Sequence, residues 1–109
     1  MMKREYFITA RPKRISTHPG SILKADILPD LGLSITQAAK ELGISRQILH
    51  RILKGSHPIT PKMALRLGRF CGNDPAIWLR MQQAHDLKKA ELQLGDELKK
   101  IPIHISSAH

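Results

Sequence analysis

The residues best suited to chemistry lie close together in segment 45–55, SRQILHRILKG. At about 100° per residue, its polar and basic side chains fall on one side of a helix and its apolar side chains on the other. The polar side holds Arg46, Gln47, His50, Arg51 and Lys54, and the apolar side holds Ile48, Leu49, Ile52 and Leu53. Arginine and glutamine can pair bidentately with base edges, and lysine neutralises phosphates. The segment therefore predicts a helix that lies in a DNA major groove.

Capping residues indicate that this segment is the second helix of a helix-turn-helix. Ser34 and Gln37 have the spacing of a capping box at the start of a preceding helix. Gly43 stands where the turn needs a positive φ, which glycine adopts at least cost. Ser45 can cap the second helix, and Gly55 can end it. The alternative is an ordinary helical hairpin with a solvated basic face.

We expect this unit to contact both bases and phosphates. The candidates for base contacts are Arg46, Gln47, Arg51 and His50, and the candidates for phosphate contacts are Thr36, Ser45, Lys54 and Lys62. For Arg51 a contact to phosphate alone is an equal alternative, and His50 could simply be solvated. Arg66 lies between two leucines, and we interpret it as a partner in a structural ion pair with Glu41 or Asp26.

The flanking sequence predicts three further helices, which gives an all-α fold of five helices. A first helix opens at Pro19 and is closed by Pro29. A fourth is capped by Thr60, and a fifth follows Asp74 and runs to about Leu94. Apolar residues lie on more than one side of the fifth helix, a pattern typical of a helix that packs on its own core and on a second chain. The residues expected in the core or in a dimer interface are Ile77, Trp78, Met81 and Leu87.

The two ends of the chain have β-favouring patterns. Residues 5–9 are rich in β-formers, and Ile101, Ile103 and Ile105 alternate at strand period. They could pair as short terminal strands, within one chain or across a dimer, and the alternative is disordered tails. We therefore divide the chain into a basic N-terminal arm (1–17), a helix-turn-helix domain with a C-terminal dimerisation helix (18–94), and a C-terminal tail (95–109).

Charge is distributed unevenly along the 109 residues. The formal net charge is +9, with +4 in residues 1–18, −1 in residues 19–33, +6 in residues 34–69 and zero in residues 70–109. This distribution favours a polyanion as partner of the first two-thirds and a protein as partner of the last third. The single cysteine, Cys71, excludes a disulfide within the chain and favours a reducing compartment. No apolar run could span a bilayer and no signal peptide is evident, so we expect a cytoplasmic protein without membrane contact.

Catalysis is not expected. Six histidines are present, but no HExxH, CxxC or paired-carboxylate spacing accompanies them, so the sequence predicts neither metal nor cofactor. An RNA-binding module and a protein that acts only through its fifth helix remain as alternatives. Small RNA-binding domains usually stack bases on exposed aromatic residues, and this chain has only four aromatic residues of the Phe, Trp and Tyr types. Duplex DNA is the favoured partner.

Several short motifs resemble the HigA/VapI-type antitoxins, which belong to the phage-repressor-like helix-turn-helix superfamily. They are His18-Pro19-Gly20, Leu31-Gly32-Leu33-Ser34, Leu42-Gly43-Ile44-Ser45-Arg46, Ile59-Thr60-Pro61, Ala64-Leu65-Arg66-Leu67, Trp78-Leu79, Gln82 and Asp86-Leu87. The resemblance covers roughly residues 18–92. Lys54, His85 and Ile77 depart from the family pattern, which often has Asn, Tyr and Phe there.

The resemblance implies a homodimer that binds a palindromic operator in its own promoter and neutralises an mRNA-cleaving ribonuclease toxin. A free-standing regulator without a toxin is the alternative. Because such toxins bind RNA, we expect them to be basic, and a chain of charge +9 would not attract one electrostatically. We therefore expect apolar contacts from the N-terminal segment or the tail to carry the neutralisation.

Overall fold

The computed structural model describes residues 18–105, which form a bundle of five helices without a strand. The first helix, α1, is a continuous run built from Pro19–Ile22, a π-helical turn over Leu23–Ile27, and Leu28–Leu31. The others are α2 (Ile35–Leu42), α3 (Arg46–Lys54), α4 (Pro61–Cys71) and α5 (Pro75–Leu94), and a 3-10 segment over Gly95–Lys100 follows α5. The predicted all-α fold of five helices is confirmed.

Pro29 lies inside α1, so the prediction that it closes the first helix is wrong. In an α-helix, proline removes one hydrogen bond and its ring clashes with the carbonyl four residues earlier. Here a π turn comes directly before it, in which the Leu28 N–H donates to the Leu23 carbonyl. Because a π turn is wider than an α turn, the ring is accommodated and the helix continues to Leu31.

The caps predicted for the helix-turn-helix are present. The Ser34 hydroxyl accepts from the Gln37 N–H at 3.1 Å, and the Ser45 hydroxyl accepts from the Ile48 N–H at 3.1 Å. The turn glycine, Gly43, has a φ of 72°. Each cap satisfies a backbone donor that the first turn of a helix leaves unpaired, so local sequence alone defines where α2 and α3 begin.

The core lies where α1, α4 and α5 close over the helix-turn-helix. Trp78 of α5 is fully buried, and its Nε1 donates to the Asn73 side-chain oxygen at 2.9 Å. Gln82 is also buried: its Oε1 accepts from the Ile59 N–H and its Nε2 donates to Asp86, both at 2.9 Å. Gln82 of α5 therefore binds the loop that joins α3 to α4. This bond holds the C-terminal end of the helix-turn-helix against the core.

The four residues assigned to the core or a dimer interface lie in different environments. Trp78 is buried, Ile77 and Met81 are half-buried, and Leu87 is 71% exposed. Leu87 is therefore not a core residue of this chain, and its place in a dimer interface stays a prediction. Beyond His85 every described residue of α5 is exposed except Ala90, which is half-buried. The C-terminal half of α5 thus stands clear of the core.

The strands predicted for the chain ends are not formed by the residues that the structure describes. Ile101, Ile103 and Ile105 are exposed and belong to no strand within residues 18–105. The other β-favouring segment, residues 5–9, and the whole of the predicted arm (1–17) lie outside the described residues. No helix in the described range has the length and apolar character needed to cross a membrane.

Candidate nucleic-acid interface

The predicted division of α3 into two sides is present in the structure. Leu49, Ile52 and Leu53 are buried against the core, and Ile48 is half-buried. On the opposite side, Arg46, Gln47, Arg51 and Lys54 are exposed and His50 is half-buried. Burial of one whole side of a nine-residue helix fixes its orientation, so the basic side is presented outward as one surface. We call this surface, residues 46, 47, 50, 51 and 54, the basic face of α3.

Three of the four phosphate candidates lie at the start of a helix, and the fourth, Lys54, is part of the basic face itself. Thr36 and Lys62 are exposed in the first turns of α2 and α4, where unpaired N–H groups and the helix dipole favour an anion. Ser45 is exposed at the start of α3. Its oxygen accepts the cap bond, and its hydroxyl hydrogen can still donate to a phosphate. Each of these three helix starts suits an anion such as a phosphate group.

The turn of the helix-turn-helix is braced by Arg66 of α4. Its Nη1 donates to the Leu42 carbonyl at 2.8 Å, at the C-terminal end of α2, where carbonyls lack helical partners and the dipole is negative. The predicted ion pair with Glu41 or Asp26 is therefore wrong: a backbone carbonyl takes the place of the carboxylate. The residue has the structural role expected of it, and it does not belong to the DNA-facing set.

The other end of α3 is contacted by the first residues of α1. A Cβ built on Gly20 would lie 1.7 Å from the Ile52 carbonyl oxygen, so the two backbones are in direct contact. The His18 side chain caps α1, with Nδ1 accepting from the Gly20 N–H at 3.0 Å. Its ring lies beside Gly55, the residue that ends α3, and meets the His85 ring edge-to-face at 5.1 Å between centroids.

Sequence reasoning used His18 only as a family marker and missed this structural role. A local signal was present, because a residue directly before Pro at the first position of a helix is an N-cap candidate. Its contact with α3 joins segments more than thirty residues apart and has no local signature. The turn of the helix-turn-helix is thus held by Arg66, and its C-terminal end by His18.

Neither thiol nor metal chemistry is favoured in the described residues. Burial raises the pKa of the Cys71 thiol to about 12, which keeps it protonated and unreactive. No three His, Cys, Asp or Glu side chains within residues 18–105 are close enough to hold a metal ion.

Comparison with known proteins agrees with this geometry. A helix-turn-helix family model matches residues 23–78, just over half of the chain, and includes α2, α3 and α4. The chain belongs to the helix-turn-helix family. In this helix-turn-helix protein, α2 is the first helix of the motif and α3 is the recognition helix.

Individual relatives show which members of the helix-turn-helix family this protein resembles. Virulence-associated protein I of Dichelobacter nodosus is 45% identical over 74 residues, which cover 68% of each chain. An addiction module antidote protein of a HigA family from Coxiella burnetii is 35% identical with a TM-score of 0.77, over 84% of this chain and 100% of that one. Antitoxin GraA in complex with its operator is 30% identical with a TM-score of 0.77, over 91% of this chain and 100% of that one. The HigA/VapI-type resemblance is confirmed.

Proposed function

We propose that this chain is a sequence-specific DNA-binding antitoxin that represses its own promoter and neutralises a ribonuclease toxin. The observation that carries the proposal is the basic face of α3, exposed at every residue except the half-buried His50 and opposite a largely buried apolar side. Its HigA-family and GraA relatives, the latter solved with its operator, support the antitoxin and repressor roles. The proposed activity is binding rather than catalysis, and a promoter and a ribonuclease as partners support a cytoplasmic location.

On duplex DNA, α3 enters the major groove with its first residues nearest the bases. Arg46 and Gln47 begin the helix and read base edges, and Arg51 and His50 follow one turn later. Phosphates on either side of the groove are bound by Thr36, Ser45, Lys54 and Lys62. Phosphate contacts hold the helix in register, and base contacts select the sequence.

A homodimer completes the site. One recognition helix buries too little surface for typical specific affinity, and the C-terminal half of α5 exposes Leu87 and Leu94 to a second copy. A two-fold dimer would place two recognition helices about 34 Å apart, one turn of B-DNA, and would match a palindromic operator.

Substitutions on the basic face are expected to separate specific from general binding. Gln47→Ala should weaken binding to the chain's own promoter by roughly 1–3 kcal/mol and change binding to random DNA far less, because it removes a base contact. Lys54→Ala should weaken both about equally and reduce the salt dependence, because it removes a phosphate contact. Titrations of both DNAs by fluorescence anisotropy at several salt concentrations measure this. Identical behaviour of the two variants on both DNAs would refute the assigned roles.

Toxin binding is tested through the N-terminal segment, which holds the apolar patch Tyr6, Phe7 and Ile8. Removal of residues 1–15 is expected to abolish retention of the toxin in a pull-down while the helical circular dichroism is preserved. The probe is the product of a small basic ribonuclease-like reading frame next to this gene. If no such frame exists, the free-standing regulator is favoured instead. If the shortened chain retains the toxin fully and loses only promoter affinity, the segment serves DNA alone.

A further inference from the structure

The start of α1 fixes the position of the last turn of the recognition helix. Gly20 touches the Ile52 carbonyl, and a Cβ on Gly55 would be 3.4 Å from the His18 Cγ. Since α3 has nine residues, about two and a half turns, a contact at one end controls the angle of the whole helix. Segment 18–20 therefore affects how the basic face of α3 is presented, although no DNA contact is assigned to it.

His18 makes these contacts as a neutral imidazole. Its Nδ1 accepts from the Gly20 N–H at 3.0 Å, so that nitrogen carries no proton and the ring proton lies on Nε2. The residue is 6% exposed, with the His85 ring edge-on against it. A second proton would have to sit on Nδ1, where it would face the Gly20 N–H and break the cap.

We propose that His18 is a positioning residue for the recognition helix: its neutral side chain caps α1 where α1 contacts the last turn of α3, and protonation breaks that cap and weakens promoter binding. The inference rests on the proposed DNA-binding function. It adds to that function a residue remote from the bases and a dependence of specific affinity on pH.

The groups that act on the charge of His18 come from α5 and from the loop after α3. Burial, followed by repulsion from His85, lowers the pKa of His18 below its usual 6.5, and Asp86 and the His57 backbone carbonyl oppose the shift less strongly. The folded chain therefore binds this proton less readily than the unfolded chain. The contact is fully present above pH 6.5 and is lost as the pH falls below that value and through the folded pKa.

Two variants that cannot titrate, with a matched control, separate positioning from general stability. His18→Asn keeps an acceptor suited to an N-cap, and His18→Gln moves its amide beyond cap distance. The control, Asp74→Ala, removes the cap of α5, where Asp74 Oδ1 accepts from the Ala76 N–H at 3.0 Å. Affinity for the promoter fragment and for random DNA is measured at about pH 7.5 and about pH 5.5, at a temperature where circular dichroism shows every variant folded.

At the higher pH, His18→Gln is expected to bind the promoter fragment about tenfold more weakly than wild type, the equivalent of one lost cap. His18→Asn and the Asp74→Ala control should stay within about threefold. On acidification the wild type should lose affinity for the promoter fragment, and His18→Asn should lose less. All other residues are unchanged between the wild type and His18→Asn, so their effects cancel in that comparison.

The inference is overturned if His18→Gln matches the Asp74→Ala control at the higher pH. It is equally overturned if His18→Asn shows the pH dependence of the wild type. A wild-type chain that does not prefer its promoter over random DNA at the higher pH would refute the proposed function itself, which is a different and separately visible result.

Discussion

An alanine in place of Gly20 is expected to lower the free energy of unfolding by about 3 kcal/mol or more. The added methyl group would lie 1.7 Å from the Ile52 carbonyl oxygen and 2.7 Å from its carbon. Both are backbone atoms of α3, so no side chain can turn aside to make room. The start of α1 must therefore move away from the recognition helix. Against a typical total of about 5–15 kcal/mol, such a loss is a large fraction of the stability.

Gly32→Ala is the matched control for this prediction. It makes the same chemical change at the end of α1, where φ is +68° and nothing lies within 4 Å of the added Cβ. It should cost only the strain of a left-handed residue, about 1–2 kcal/mol. Urea unfolding followed by circular dichroism, at one protein concentration, measures both. Equal losses of unfolding free energy in the two variants would show that α1 and α3 can move apart at little energetic cost, and would contradict this prediction.

Two lysines on the projecting half of α5 are expected to convert the proposed dimer to a monomer. Leu87 and Leu94 are seven residues apart, so they lie on one stripe of the helix, and they are 71% and 42% exposed. Leu87→Lys with Leu94→Lys would place charges in the interface, where each would be desolvated without a partner. With two half-sites no longer bound together, promoter affinity should fall by about 100-fold or more.

Sedimentation at tens of micromolar protein, together with promoter titration, measures this effect. Leu92→Lys is the control, because Leu92 is 64% exposed but lies about 140° around the helix from Leu87. It should leave both the mass and the affinity unchanged. If the wild-type chain sediments as a monomer, the proposed dimer is refuted. If the double variant remains dimeric, the dimer interface does not include Leu87 and Leu94.

The parts of the fold that sequence predicts well are those set by neighbouring residues. The start of α2 follows from Ser34 and the start of α3 from Ser45, because each cap bond spans three residues. The two sides of α3 likewise follow from a periodicity that nine residues are enough to show. Local sequence is therefore sufficient to predict which residues of α3 are exposed, and these include Arg46, Gln47 and Arg51, three of the four proposed base contacts.

The parts that sequence did not predict depend on residues distant along the chain or on a less common helix geometry. The bond from Arg66 to Leu42 spans 24 residues and that from Ile59 to Gln82 spans 23, and no local pattern marks either. Pro29 was interpreted by the usual rule for proline, which assumes an α-helix and is relaxed by the π turn before it. Periodicity leaves Leu87 as either a core or an interface residue, because it cannot show where a helix extends beyond its core; its exposure excludes only the core.

Because the C-terminal half of α5 projects from the core, operator spacing and base preference can evolve separately. Beyond His85, nine residues carry this helix about 14 Å outward at 1.5 Å per residue. In the proposed dimer, the bases that are read depend on α3, whereas the distance between half-sites depends on where α5 sets the two-fold axis. A duplicated gene could therefore acquire a new operator spacing through α5 with its base preference intact, or a new base preference through α3 with its spacing intact.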